Sequence, residues 1–448
     1  MAETGETAQT QLIYGRDDRP SFGPSLLAAF AHLFAIVASI LTAPLLIARA
    51  IGLDVDSTQY VISASLVVSG IATFIQTYRI GPIGSGLLAV QGTSFAFIGT
   101  MAYGAAQLPP ETSQDELLGI LLGTAAVGGG LVIALSFFLK SVAKVITPTV
   151  TGVTIFLLGL SLLWSALNNS WRVFANASVG DTPYLAMEWL LTLITIAALA
   201  TRKNLYARLV SVPAGLFGGM LLAAVLRDWA PLPTPTEDPL FFLEVLPVSL
   251  DFSFLVLLIL LPIFLVSFTE TIGDITATSL VSGQPVEGKT YFSRLRGGVL
   301  GDGFNTVLAS MFGAFPNTTF SQNNAVIRLT GIASRQVGYV LALLLIVLGS
   351  IPWVSSLIVT IPGSVLNAVT AFLFSMIAYT GFNMVRDRAQ RRGLLVLTIA
   401  CVGSLLLLGV PALLASLDIT IPPYAAILLG FPVASGALLA IIVDQSMT

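Results

Sequence analysis

The sequence predicts an all-α polytopic membrane protein of about fourteen transmembrane segments, arranged as two inverted seven-segment repeats with short antiparallel β-strands in segments 3 and 10. Three observations carry that prediction. Of 448 residues, 55% are apolar and only 10% charged, with a mean hydropathy of +0.91. A charged fraction this low cannot cover the surface of a water-soluble domain of this size. Second, the apolar runs divide the twenty Lys and Arg residues so that only Arg49, Arg172 and Arg227 fall in connections opposite the N-terminus. This bias places both termini inside, and a miscount by one segment would scramble it. Third, a short motif recurs at about half the chain length.

Taken in order, the apolar segments lie at 24–47, 61–77, 86–104, 117–139, 145–163, 186–201, 206–226, 253–279, 297–313, 319–333, 335–350, 354–380, 393–415 and 421–443. Several are too short to cross a hydrocarbon core of about 30 Å as simple helices. Residues 1–20 read as a soluble, poorly ordered tail before a retained first helix, because Arg16 and Arg19 precede a long apolar run without a cleavage site. The single cysteine, Cys401, excludes disulfides within the chain and Cys-based clusters, and the single histidine, His32, excludes a histidine-rich metal site. No metal or other cofactor is expected. Basic residues are scattered over short loops, so the net charge of −3 gives no reason to expect a nucleic-acid partner.

The recurring motif pairs Gln91-Gly92-Thr93-Ser94-Phe95-Ala96-Phe97 with Pro316-Asn317-Thr318-Thr319-Phe320-Ser321-Gln322. Seven segments per half is odd, so the second copy enters from the opposite side. Interrupted hydrophobic segments at matching places in two halves point to a transporter's binding site. Unwound backbone at membrane depth must be satisfied by protein or line a cavity. Two such stretches meeting at the midplane would pair as short antiparallel strands, and the half-helices after them would aim their N-terminal dipoles at the same spot. Ser94, Phe95, Ser321 and Gln322 would then line a polar pocket. Phe95 and Phe320 either stack on a flat ring or simply pack.

The eighth segment continues into SFTETIGDITATS, starting at Ser267. Glu270 and Asp274 are one helical turn apart on one face, with Ser267, Thr271 and Thr278 completing a polar stripe. Ionisable groups at membrane depth mark a site by default; the bland reading is a helix-end carboxylate at the interface. Asp302, between Gly301 and Gly303, suits a proton relay or a structural hydrogen-bond hub. Gln322-Asn323-Asn324 sets three amides in a row inside a membrane segment, an expensive arrangement unless they bind something. His32 reads as a proton carrier or as a neutral imidazole bridging two helices.

These residues resemble the nucleobase–ascorbate transporters, of the nucleobase–cation symport type, over essentially the whole chain. The resemblance rests on the stretch from Gln322 to Gly331, which fits the family signature except that Ala325 replaces a glycine. It is supported by Glu270-Thr271-Ile272-Gly273-Asp274, Gly301-Asp302-Gly303, Gln91-Gly92-Thr93-Ser94-Phe95 and His32. Gln-Asn-Asn resembles the xanthine and uric acid permease subgroup. The resemblance implies a core domain at 21–144 (segments 1–4) and 253–350 (segments 8–11). It implies a gate domain at 145–252 (segments 5–7) and 351–448 (segments 12–14), which also carries a homodimer contact. Glu270 and Gln322 are implied as the main base-recognising side chains. Ser94 and Phe95 should lie at the third segment's strand, with Asp274, Asp302, Asn323 and His32 supporting recognition or coupling.

The implied function is secondary active uptake of xanthine, and of uric acid with it, in the bacterial inner membrane. The carboxylates fit a proton as coupling ion, while backbone carbonyls at a broken helix would also suit sodium. An amide at Gln322 can pair with an oxo–imino edge, Glu270 can accept from two ring N–H donors, and Ser94 leaves room for the additional urate oxygen. Two rival readings stand beside it. An anion transporter of the sulfate-carrier type would prefer bare helix N-termini or a positive charge to carboxylates. An intramembrane enzyme would use Glu270 and Asp274 as acid, base or metal ligands.

Overall fold

A computed structural model describes residues 12–139, 141, 147–204, 207, 208, 210–227, 240–417, 422, 425 and 429–447. Residues 1–11 of the tail, Lys140, Lys144, the boundary expected at 144/145 and the start of segment 14 at 421 lie outside the described residues. The first segment forms α1 (Phe22–Ile51), which ends at Gly52, a residue in the left-handed region at φ 79°. Only a residue without Cβ adopts that backbone cheaply, so the helix stops there. Next, α2 (Val55–Tyr78) starts where Asp54 accepts the Ser57 N–H at 2.8 Å. The third segment is divided into β1 (Val90–Thr93) and α3 (Phe97–Ala105), and α4 (Gln114–Ser136) follows, capped by Ser113. After it come α5 (Pro148–Ala175), α6 (Thr182–Ala200) and α7 (Ser211–Arg227).

The second half repeats the pattern with α8 (Phe254–Val281) and α9 (Gly288–Met311), then β2 (Asn317–Phe320) and α10 (Gln322–Thr330). It continues with α11 (Arg335–Gly349), α12 (Pro352–Val359), α13 (Gly363–Leu408), α14 (Val410–Ser416) and α15 (Pro432–Ser446). Eight described stretches are helical, long and apolar enough to cross a membrane, α13 supplying two of them at Gly363–Arg386 and Arg391–Leu408. A ninth is the pair α11 and α12, bent by 72°. The run expected as one segment at 354–380 is interrupted before Pro362, whose ring removes an N–H donor and restricts Ile361.

β1 and β2 pair antiparallel, with Val90 opposite Phe320 and Thr93 opposite Asn317. Each strand comes from a different half of the chain, and all eight residues are buried. Around the strands pack α1, α2, α8 and α9. A second group is built from α5, α6, α7, α13 and α15. Backbones approach closely within that group: a Cβ at Gly159 would lie 2.3 Å from the Ala378 nitrogen, and one at Gly381 2.4 Å from the Phe156 nitrogen. Small residues at helix crossings permit this intimacy in a membrane, where packing is the main attraction. Gly159→Val must therefore push α5 off α13. We expect it to cost on the order of 3 kcal/mol or more, read as loss of monodisperse protein in detergent relative to Gly130→Ala, whose Cβ meets nothing within 4 Å.

The second group also holds a buried ion pair. Arg227 Nε and Nη2 donate to the two oxygens of Glu188 at 2.5 and 2.9 Å, and Ser364 Oγ donates to the same carboxylate. This joins α6, α7 and the start of α13. Glu188→Ala leaves Arg227 without its carboxylate, which costs about 3–5 kcal/mol for a fully buried pair. Arg227 keeps partial exposure, so a thermal-stability measurement should show a loss toward the lower end of that range.

From residue 12 on, the N-terminal stretch is anchored rather than poorly ordered. Residues 12–20 are not a free tail but lie as a strap across the α10–α11 turn. Ile13 and Tyr14 N–H donate to the Gly331 carbonyl at 2.8 and 3.1 Å, and Ala333 N–H donates to the Tyr14 carbonyl at 2.9 Å. Ser334 Oγ donates to the Asp18 carbonyl at 2.6 Å, and Arg335 pairs with Asp17. The hydrogen bond from Arg16 to Asp17, aided by Arg335, holds the Asp17 carboxyl below its usual range. A lowered carboxyl contributes stability above its unfolded value and loses it as pH falls through the folded one, so the Asp17 contacts weaken as pH falls below the usual carboxylate range.

Candidate functional site

A cavity of about 260 Å³ opens between the strands, α1, α8 and the two-group boundary, where α5 and α13 face it. Why it forms is local. β1 ends at Thr93 and α3 begins at Phe97; β2 ends at Phe320 and α10 begins at Gln322. Two helix N-termini therefore start beside the cavity, 225 residues apart, as the paired motifs anticipate. Unpaired N–H groups at helix starts make such places receptive to electron-rich ligand atoms.

Of the side chains anticipated, Glu270, Asp274, Ser94, Phe95, Phe320, Ser321 and Gln322 all line this cavity. The i, i+4 spacing on α8 turns both carboxylates inward. Among the described residues no protein hydrogen bond is made by the carboxylates of Glu270 and Asp274 or by the Gln322 amide, which leaves them to a ligand. No Lys, Arg or His lines the cavity, so an anion would meet two carboxylates without a compensating cation. Phe95 packs edge-on against Phe374 of α13, ring centroids 6.1 Å apart at 82°. Its edge thus reaches across to the second group.

Four anticipated residues are elsewhere: Asn323, Asn324, His32 and Asp302. Asn323 is fully buried and donates from Nδ2 to the Leu88 carbonyl at 2.7 Å. Asn324 accepts from Thr278 Oγ1 at 2.7 Å. The three consecutive amides therefore divide by helical geometry: the first faces the cavity, and the next two tie α10 to the chain before β1 and to α8. His32 does not line the cavity, and neither of its ring nitrogens has a hydrogen-bond partner among the described residues, so it does not bridge two helices by hydrogen bonds.

Asp302 is the hub rather than a cavity wall. Gln76 Nε2 donates to Oδ1 at 2.9 Å, Thr319 donates through Oγ1 at 3.0 Å and through its backbone N–H at 3.3 Å, and Thr271 bonds Oδ2. Gln91 Nε2 in turn donates to Thr319 Oγ1 at 2.7 Å. One carboxylate thus knits α2, α8, α9 and both strands directly behind the cavity. Ala325 sits inside α10 and is not among the residues with positive φ; Gly331 supplies the left-handed turn at φ 65°. The missing signature glycine therefore strains nothing.

Sequence reasoning missed Ser39, Thr318, Thr319 and Thr380, and the apolar wall of Ile155, Leu158, Leu373, Met376 and Ile377. Thr318 and Thr319 were inside the repeated motif, a usable signal. Ser39 lies seven residues, two turns, beyond His32. The α5 and α13 residues carry none, since apolar side chains look alike whether they face lipid or a cavity.

A family profile described as "Permease family" matches residues 23–413. The chain is also 37% identical over 446 residues to the xanthine permease XanP of Escherichia coli (strain K12), covering 98% of this chain and 95% of that one. The chain belongs to this family, the nucleobase–ascorbate transporters. The permease is 36% identical over 390 residues to the xanthine permease XanQ of the same strain, covering 86% of this chain and 83% of that one. Among solved structures, the transmembrane domain of a cyanobacterium bicarbonate transporter, BicA, aligns with a TM-score of 0.58 over 96% of this chain and 99% of that one, at 15% identity. At that identity the likeness concerns the fold alone. A permease moves its solute without converting it, so this multi-pass membrane protein is a transporter and not an enzyme.

Proposed function

We propose that this permease takes up purine nucleobases, xanthine first and uric acid with it, by proton symport. The observation that carries the reading is the cavity in which Glu270 and Gln322 stand free of protein partners, with Ser94, Phe95, Ser321 and Phe320 around them. A carboxylate accepting from ring N–H groups and an amide offering both donor and acceptor fit an oxo-purine edge, and the aromatic rings fit its faces. Names of relatives 36–37% identical over most of the chain support the substrate class. Asp274 and Asp302 supply ionisable groups for coupling, while Asn323 acts by holding α10 and His32 by its buried packing on α1.

In this reading the chain crosses the inner membrane in fourteen segments, both termini cytoplasmic, as the distribution of Lys and Arg supports. The core, 21–144 and 253–350, carries the strands; the gate, 145–252 and 351–448, carries the apolar wall and the contact of a homodimer. Alternating access then follows from movement of core against gate, which the placement of one cavity at the boundary of two packed groups supports.

Uptake of radiolabelled xanthine tests this in cells, with excess unlabelled urate, uracil or sulfate and with a protonophore. We expect urate to compete, uracil and sulfate not to, and the protonophore to collapse accumulation. Absence of xanthine uptake by protein shown to reach the membrane would overturn the substrate.

A further inference from the structure

Side chains alternate along a strand, so Gln91 and Thr93 share one face of the strand pair with their partners Thr319 and Asn317. On that face Gln91 Nε2 donates to Thr319 Oγ1, which in turn donates to Asp302. The opposite face gives Thr318 and Phe320 to the substrate cavity, which Thr319 also borders at the Asp302 end. The rear face is therefore polar and buried, and its further end is unsatisfied. Thr93 Oγ1, both amide atoms of Asn317 and Gln91 Oε1 are buried without a hydrogen-bond partner among the described residues.

The helices behind it continue the pattern. On α2, Gln76, Thr73, Ser69 and Ser65 recur every three or four residues, one stripe about 16 Å long. On α9, Asp302, Asn305, Thr306 and Ser310 form another. Gln76 meets Asp302, Asn305 Nδ2 donates to the Ala72 carbonyl at 3.4 Å, and Thr306 Oγ1 donates to the Asn317 carbonyl at 3.2 Å. The two stripes thus face one another and the strands. Ser65 Oγ, Ser69 Oγ, Asn305 Oδ1 and Ser310 Oγ are again buried and unpartnered. Beyond Ser310 lies a second cavity of about 350 Å³, bounded by Asp56, Tyr60, Asp115, Glu244 and Gly313. Three of these are carboxylates, which raise the local proton concentration.

We propose that this row binds a file of water molecules that carries protons between the acidic vestibule and Asp302, behind the substrate cavity and separate from it. The inference rests on the proton-symport reading. Water is the ligand the chemistry selects: both donor and acceptor of Asn317 want partners, and a metal cation would satisfy only the oxygens. Each oxygen in the file gives up one proton as it takes another, and the last is delivered to the Asp302 carboxylate. Asp302 is the only ionisable side chain on the strands, on α2 between Tyr60 and Tyr78 and on α9 between Arg296 and Met311. From α8, Thr271 bonds it and Glu270 and Asp274 lie one step further, in the substrate cavity.

Thr93→Val and Asn317→Leu keep shape and remove the polar atoms from the rear face, leaving Ser94 and Thr318 in place. Two measurements on purified protein and proteoliposomes decide the matter. If the row is hydrated, each substitution strips waters of partners and lowers the thermal midpoint. If it is dry, removing desolvated polar atoms raises it, and a rise would overturn the proposal. Uptake driven by an inward proton gradient should fall at least about tenfold as the file is interrupted, while xanthine exchange at equal pH stays within about twofold. Equal loss of both would mean a structural role and overturn the route, as would no loss of either. Wild-type uptake indifferent to the gradient would overturn the symport reading along with the route. Gradient-driven wild-type uptake with unaltered variants would overturn the route alone.

Discussion

Glu270→Gln is expected to lower xanthine uptake by at least about 100-fold, with the protein still inserted. A hydrogen bond to a charged partner contributes about 1.5–3 kcal/mol, and 1.4 kcal/mol is a factor of ten. Glu270 is proposed to accept from two ring N–H groups, so the amide loses one acceptor and turns its own N–H toward a donor. The side chain bonds no other described residue, and the substitution is isosteric, so the fold has little reason to respond. That separates the effect from misfolding: the variant should match wild type in membrane abundance and thermal midpoint while xanthine no longer raises the midpoint. Full uptake by this variant would remove Glu270 from recognition.

Asp302→Ala should do the opposite and fail as a protein before it fails as a carrier. Gln76, Thr271 and Thr319 all direct donors at this carboxylate. Removing it strands them in a buried place, at about 1–3 kcal/mol for each unsatisfied group. The sum is comparable with an ordinary net stability of about 5–15 kcal/mol. We expect strongly reduced yield and early aggregation, measured by fluorescence-detected gel filtration. Thr271→Val, which removes one donor and leaves the carboxylate its other partners, should keep most of the folded protein. Wild-type yield from Asp302→Ala would show that the hub does not hold the strands in place.

The two predictions differ because sequence alone cannot tell a cavity carboxylate from a hub. Glu270 and Asp274 were legible as a pair, since one helical turn fixes their common face whatever packs against it. Asp302 offered two roles until Gln76 and Thr319, distant in sequence, were seen to converge on it. Gln322, Asn323 and Asn324 read as one polar group, yet successive helix positions point about 100° apart, and only the first reaches the cavity. The strap at 12–20 was illegible for another reason: much of its hold is backbone hydrogen bonding to Gly331 and Ala333, and backbone groups leave no mark in composition. Ser65 and Ser69 are single hydroxyls in an apolar helix, unremarkable until α9 presents its own polar stripe opposite. Most of the long helices were readable because an apolar run of sufficient length has few other solutions in a bilayer.

The strand pair joins the two halves of the chain. Each strand of the pair is donated by a different half of the chain, and neither half contains another named strand among the described residues. A half-length polypeptide inserted alone would hold a four-residue edge of unmatched amides and carbonyls within the bilayer, which lipid cannot satisfy. A gene of half this length would therefore have encoded no working monomer. Its product would have needed a companion to supply the second strand of the ladder. In a single chain that encounter is intramolecular, with Gln91 and Gly92 from one half set against Thr319 and Thr318 from the other.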